Sequence, residues 1–348
     1  ASPANGEVKE IKYGPRRVIE KIEIGVEGNE AIENKVFTKQ QIKSSDKDTI
    51  LNYILEANLF PLIRQRPFNK IANPSSNPRD IFISGYNTAP LSVDLHPIIE
   101  ENKDVFQLGL TALSKLTEGK VFLTLKDEIK FEDVQVQKIS GPHPAGNVGI
   151  QIHHTKPLKP NEVIWTVNAQ HVVTLGRLFK TGIYDPKITI LVGGSGSNKP
   201  ESLKVTIGAS IHSIMENQKI DKDVRIISGD VLTGTTVTEE DYVGFYDSTI
   251  TILDDNVKRP FLGMLSLGNS TTKYSLTNTF LTFKDSLFNF TTSQNGEKRA
   301  MVPINAWESV LPMDILPNPL YRAILSQDIE EMEKLGIWEC DDEDFALC

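Results

Sequence analysis

The spacing of apolar residues changes several times along this chain, and each change marks an element. Over residues 1–30 apolar and polar positions alternate, with a turn at Tyr13 to Pro15, which predicts two or three strands. Between Phe37 and Asn69 the spacing turns helical: Ile50, Leu51, Ile54 and Leu55 share one helix face that Ser44 or Ser45 can cap. A strand from Ile81 to Pro90, a helix around Val105 to Leu116 and a strand from Val121 to Leu125 make a βαβ unit. Further strands are predicted at Val134 to Ile139 and Gly149 to His153, a helix over Asn168 to Gly182, and a strand at Ile188 to Gly194.

Beyond Pro200 the signals shorten. Strands at Ser202 to Gly208, Val224 to Leu232 and Asp247 to Leu253, with a helix near Ser210 to Asn217, follow the order of a small β-grasp unit. Two more strand-like runs lie at Gly263 to Leu267 and Thr279 to Phe283. From Ile304 helical patterning returns, clearest over Leu320 to Ile337, with Pro312, Pro317 and Pro319 punctuating the approach.

Composition narrows the function classes. A chain of 348 residues, 39% hydrophobic and 24% charged, is long enough for several globular domains. A formal charge of −9 opposes nucleic-acid binding, which needs a clustered positive face. No apolar run reaches the length of a membrane-crossing helix, and ASPANGEVKE has neither the basic head nor the apolar stretch of a signal peptide. Cys340 and Cys348 form no disulfide framework, so a reducing cytoplasmic setting is expected. The first strands call for partners and the acidic end closes on no terminating pattern, so the chain is expected to be part of a longer one.

The densest chemical signal is GPHPAGNVGIQIHH, Gly141 to His154. Its glycines and prolines set a rigid loop around His143, and VGIQIH is expected to continue as a strand rather than a helix. Gly193 to Ser197 follows a strand, but it lacks phosphate-loop spacing and Pro200 stands where a helix should begin, which favours a surface turn. His143, His153, His154 and His171 match no zinc spacing. Arg64, Arg66 and Lys70 could seize a carboxylate or phosphate, or could fix a loop to an acidic neighbour. The end, CDDEDFALC, reads as a solvated tail or a partner-facing edge.

Taken in order, RQRPFNK (Arg64 to Lys70), IFISGYNTAPL (Ile81 to Leu91), FQLGLTALSKL (Phe106 to Leu116), GPHPAGNVGIQIH, RAMVP (Arg299 to Pro303) and LPMDILP (Leu311 to Pro317) resemble the A-subunit family (NqrA) of the Na+-translocating NADH:quinone reductase. The resemblance implies an α/β and α+β multidomain chain. Residues 1–36 would be a truncated barrel-sandwich-like β segment, and 37–195 a Rossmann-like α/β domain. Residues 196–300 would be a β-grasp (SLBB-like) domain with extra strands, and 301–348 a C-terminal helical domain without an Fe-S cluster. The family is related to the flavin-binding subunits of complex I and the Rnf complex. Those relatives hold FMN on a glycine-rich loop where this chain has Phe60 to Phe68, without glycine, and their cluster needs four thiolates where this chain has two cysteines.

The resemblance therefore implies a peripheral subunit with no cofactor of its own, on the cytoplasmic side of the bacterial inner membrane. Flavins and the Fe-S centre would sit in other subunits. The partners implied are those subunits, foremost the B-subunit in the membrane, and the quinone substrate. The residues expected to bind quinone or form the interface are Gly141, Pro142, His143, Pro144, Ala145 and Gly146, with Arg64, Arg66 and Phe68; no catalytic or metal-binding residue is expected. Two alternatives are an assembly subunit with no ligand and a surviving FMN flavoprotein.

Overall fold

The computed structural model describes residues 2–28, 30–218, 220, 223–255, 288–293 and 305–348. The strand-like runs expected at Gly263 to Leu267 and Thr279 to Phe283 lie outside the described residues. The chain forms two compact units. The first comprises Ala1–Thr88, Asp94–Lys187 and Asn305–Cys348, and the second Ala89–Val93 and Ile188–Ile304.

The first unit opens with an antiparallel hairpin, β1 (Gly6–Tyr13) and β2 (Ile19–Val26), as the alternation predicts. Two register shifts set Val8 opposite Ile24, Ile11 opposite Ile22 and Tyr13 opposite Ile19, so the apolar side chains share one face despite the irregular spacing. Two helices follow, α1 (Lys39–Ser44) and α2 (Lys47–Glu56). Ser45 ends the first, and the second is capped by Asp46, which accepts from the Thr49 N–H at 2.8 Å, instead of by either expected serine.

A six-stranded sheet carries the rest of this unit. Its strands are β3 (Arg64–Arg66), β4 (Lys70–Ile71), β5 (Ile81–Ser84), β6 (Val121–Leu125), β7 (Gln135–Lys138) and β8 (Ile164–Asn168), in the order β4-β3-β8-β5-β6-β7. Strands β5 to β8 run parallel, and β3 is antiparallel to β8. Helices α3 (Leu95–Glu101) and α4 (Lys103–Ser114) join β5 to β6, α5 (Val148–Thr155) joins β7 to β8, and α6 (Ala169–Thr181) follows β8. Asn168 caps α6 and Gly182, at φ 72°, ends it.

The expected strand at Gly149 to His153 is helix α5. The physical reason is burial on two sides. Val148 and Ile152, one turn apart, pack with Phe82, Phe122 and Ile164 of the sheet, while Ile150 packs with Leu311, Met313, Ile315 and Leu320 of the C-terminal segment. A helix buried on opposite sides has apolar residues two apart and so mimics the alternation of a strand. Strand β8, unanticipated in the sequence, is a short buried run, with Ile164 and Trp165 wholly inaccessible.

The second unit is a five-stranded sheet of β9 (Lys187–Gly193), β10 (Glu201–Thr206), β11 (Val224–Ser228), β12 (Thr235–Val237) and β13 (Thr249–Asp254), ordered β10-β9-β13-β11-β12. Helix α7 (Ile211–Gln218) buries Ile211, Ile214 and Met215 against Ile190, Val192, Ile250 and Ile252. The turn after β9 points its backbone inward, Gly196 N–H donating to Ile252 C=O at 2.8 Å, which agrees with a structural turn.

The closing residues belong to the first unit. The expected single helix from Leu320 to Ile337 is two, α8 (Pro317–Ser326) and α9 (Ile329–Lys334). Gln327, at φ 57°, ends the first, and Asp328 caps the second through the Glu331 N–H.

Candidate functional site at the Gly141–Gly146 loop

Strand order places the site. β6 and β8 flank β5 on opposite sides, so the winding of the sheet reverses at β5 and β8, where the loops leaving the C-terminal strand ends of α/β sheets commonly enclose ligands. The loop Gly141–Gly146 leaves β7 at that same end and packs on the segment that leaves β5. His143 Nδ1 lies 3.1 Å from Thr88 Oγ1, and the same hydroxyl accepts from the Gly146 N–H at 2.8 Å. A Cβ at Gly146 would stand 2.4 Å from the Thr88 nitrogen, so only glycine admits this contact. Turns from Ala145 N–H to Pro142 C=O and from Asn147 N–H to Pro144 C=O fix the loop internally. Gly141 and Pro142 are exposed, His143 and Ala145 half-buried, and Pro144 and Gly146 buried.

The second group of expected residues sits elsewhere in the sheet. Phe60 to Phe68 is a 3-10 turn running into β3, whose residues pair with both β4 and β8. Arg64 donates to the Asn69 carbonyl. Arg66 is 2% exposed and faces Asp341, Glu343 and Asp344 at 3.2, 2.6 and 3.9 Å. Of the two roles open to these arginines, Arg66 therefore takes the fixing of its hairpin to an acidic neighbour. Phe68, exposed at φ 72°, packs its ring 5.5 Å from that of Trp338. The acidic end is accordingly not a solvated tail: Asp344 is buried, and a tail would have to leave this arginine unpaired.

The two groups meet only indirectly, at the start of α5. Asn147 donates to the Glu343 carbonyl at 3.0 Å, and Gly149 leaves room for the Asp344 carboxylate, whose Oδ2 would be 2.5 Å from a Cβ there. No sequence signal ties these positions together, since the acidic segment lies far along the chain from the arginine it pairs with.

The other histidines are structural. His153 bridges Glu339 at 2.9 Å and the Asp314 N–H at 3.1 Å, and His154 donates to the Pro312 carbonyl at 2.8 Å. His171 is held neutral: burial pulls it down to about 4, against a hydrogen bond to the Leu62 backbone.

Two family models match the chain, one described as the NqrA second alpha/beta domain over residues 45–184 and one as the NQRA C-terminal domain, of SLBB type, over 189–239. The whole chain aligns with the A-subunit of the Na(+)-translocating NADH-quinone reductase of Neisseria meningitidis serogroup B at 36% identity, and with that of Psychromonas ingrahamii at 38%, in each case covering 79% of the relative. The chain belongs to the NqrA family of Na+-translocating NADH-quinone reductase subunits.

Within the NqrA family the chain is thus a mixed α/β multidomain protein. A solved NAD+-reducing [NiFe]-hydrogenase in the air-oxidized state superimposes with a TM-score of 0.41 at 10% identity, over 62% of this chain and 50% of that one. Among the described residues of this NqrA-family chain, no group of three or more His, Cys, Asp or Glu could hold a metal ion. Among them too, no helix is long and apolar enough to cross a membrane. Cys340 and Cys348 are unbridged, and burial pushes the Cys340 thiol up to about 12, which keeps it protonated and inert.

Proposed function

We propose that this chain is the peripheral, cofactor-free NqrA component of a Na+-translocating NADH-quinone reductase, on the cytoplasmic side of the bacterial inner membrane, contributing to quinone binding and to assembly with the membrane-embedded B-subunit, together with the remaining subunits. The observation that carries this reading is the alignment of the whole chain with relatives named as that component. NADH oxidation, the flavins, the Fe-S centre and the Na+ path then belong to other subunits.

Support for the quinone role comes from the position of the Gly141–Gly146 loop at the C-terminal strand ends, beside the reversal of the sheet. In the tautomer in which Thr88 donates to His143 Nδ1, the ring proton sits on Nε2, the donor that a quinone carbonyl accepts from. Arg64, Arg66 and Phe68 then act by holding the hairpin and the C-terminal segment in place. Support for a flavin-free chain comes from the backbone of residues 62–66. Leu62 and Ile63 N–H groups close the 3-10 turn, and β3 spends its hydrogen bonds on two neighbouring strands, so this stretch is not the open cradle of N–H groups that a phosphate requires.

Adding the purified chain to membranes that carry the other subunits tests the assignment. Restored NADH-dependent quinone reduction, by a colourless protein, is expected. A yellow protein that keeps its flavin through gel filtration would establish the flavoprotein reading in its place.

A further inference from the structure

A single buried cation holds the acidic segment of the first unit. Arg66 faces three carboxylates, Asp341 at 3.2 Å, Glu343 at 2.6 Å and Asp344 at 3.9 Å, so full ionisation leaves two negative charges uncompensated. Asp344 is the worst placed of the three. Its side chain is 0% exposed and farthest from the guanidinium, and its Oδ1 is buried without a hydrogen-bond partner. Its Oδ2 accepts from the Asp341 N–H at 3.0 Å. Arg66 Nε is likewise buried without a hydrogen-bond partner. From the opposite side Gly149 of α5 comes so close that a Cβ would stand 2.5 Å from Oδ2 and 2.7 Å from Oδ1. A carboxylate so enclosed escapes the cost of desolvation by taking up a proton.

The other charged or titratable groups around the cluster are Glu339, Cys340 and Asp342 on the same stretch, and His153 of α5, which pairs with Glu339 at 2.9 Å. We propose that Asp341–Cys348 is a proton-dependent latch, docked on β3 and α5 while Asp344 carries a proton and released when that proton leaves.

The sign follows from the docked and free states. Burial, and next the Glu343 charge, push Asp344 up to about 7 when docked, from an ordinary value of 3.8. The docked segment therefore binds the proton more tightly than the free one. Docking is strongest in acid, weakens as pH rises from the ordinary carboxylate value to about 7, and levels off above it. Burial raises Asp341 and Glu343 as well, which acts in the same sense.

Hydrogen exchange of the peptide 337–348 in the full chain, corrected for the intrinsic pH dependence of exchange, reads the latch directly. Protection is expected to fall about tenfold between pH ~6 and pH ~8.5 in the wild-type chain, and by less than about twofold in Asp344→Asn, which keeps the shape without the charge. A wild-type profile that stays flat overturns the proposal. So does an Asp344→Asn profile as steep as the wild type, which would assign the effect to His153 or the flanking carboxylates. Should that variant not fold, a carbon-13 carboxyl titration of Asp344 in the wild-type chain decides: a midpoint in the neutral range supports the latch, and one in the ordinary carboxylate range refutes it.

Discussion

Gly146 and Gly149 stand on either side of the start of α5, and at each another segment approaches closer than a Cβ allows. At Gly146 the intruder is the Thr88 backbone, and at Gly149 the Asp344 carboxylate. Either glycine changed to alanine is expected to cost about 1–3 kcal/mol of unfolding free energy through overpacking. The two variants should differ in where they loosen the fold. Gly146→Ala is expected to deprotect Asn87 and Thr88 in hydrogen exchange, and Gly149→Ala the segment 341–348. A denaturation midpoint unchanged in both variants would contradict these close contacts. Neither constraint was legible in the sequence beyond the presence of glycine, because each partner comes from a distant stretch. The acidic segment was misread for the same reason: Asp341, Asp342, Glu343 and Asp344 carry no mark of the Arg66 that holds them.

At the scale of elements, α6 and α5 mark the limits of pattern reading. Helix α6 shows itself through its spacing, through Asn168 at its start and through Gly182 at its end, all local signals. Helix α5 lacks them, since Asn147 gives its side chain to Glu343 instead of capping the helix, and burial on both sides erases the amphipathic stripe. Its two isoleucines are therefore expected to have separable roles. Ile150→Ala and Ile152→Ala should each cost about 2–5 kcal/mol, the first loosening Leu311 to Leu320 and the second the strands carrying Phe82 and Phe122. Hydrogen exchange resolved by peptide checks this. Identical patterns in the two variants would show that α5 does not separate two packing layers.

At the scale of the molecule, the order of short matching stretches along the chain reveals the family more clearly than any one motif, and the alignment with relatives over the whole chain bears that out. The parallel sheet then supplies what the sequence did not, a reason for the Gly141–Gly146 loop to matter: it lies where the sheet reverses its winding, joined to the segment after β5 through Thr88. The quinone role rests on that placement. Its most direct test is a titration of the purified chain with a short-tailed quinone, followed by quenching of tryptophan fluorescence, in the wild type and in His143→Ala. Saturable quenching in the wild type, weakened about tenfold or more in the variant through loss of a hydrogen bond to the carbonyl, is the predicted result. Equal affinity in both proteins would remove His143 from the site, and no saturable quenching in either would leave the chain a purely structural component of the complex.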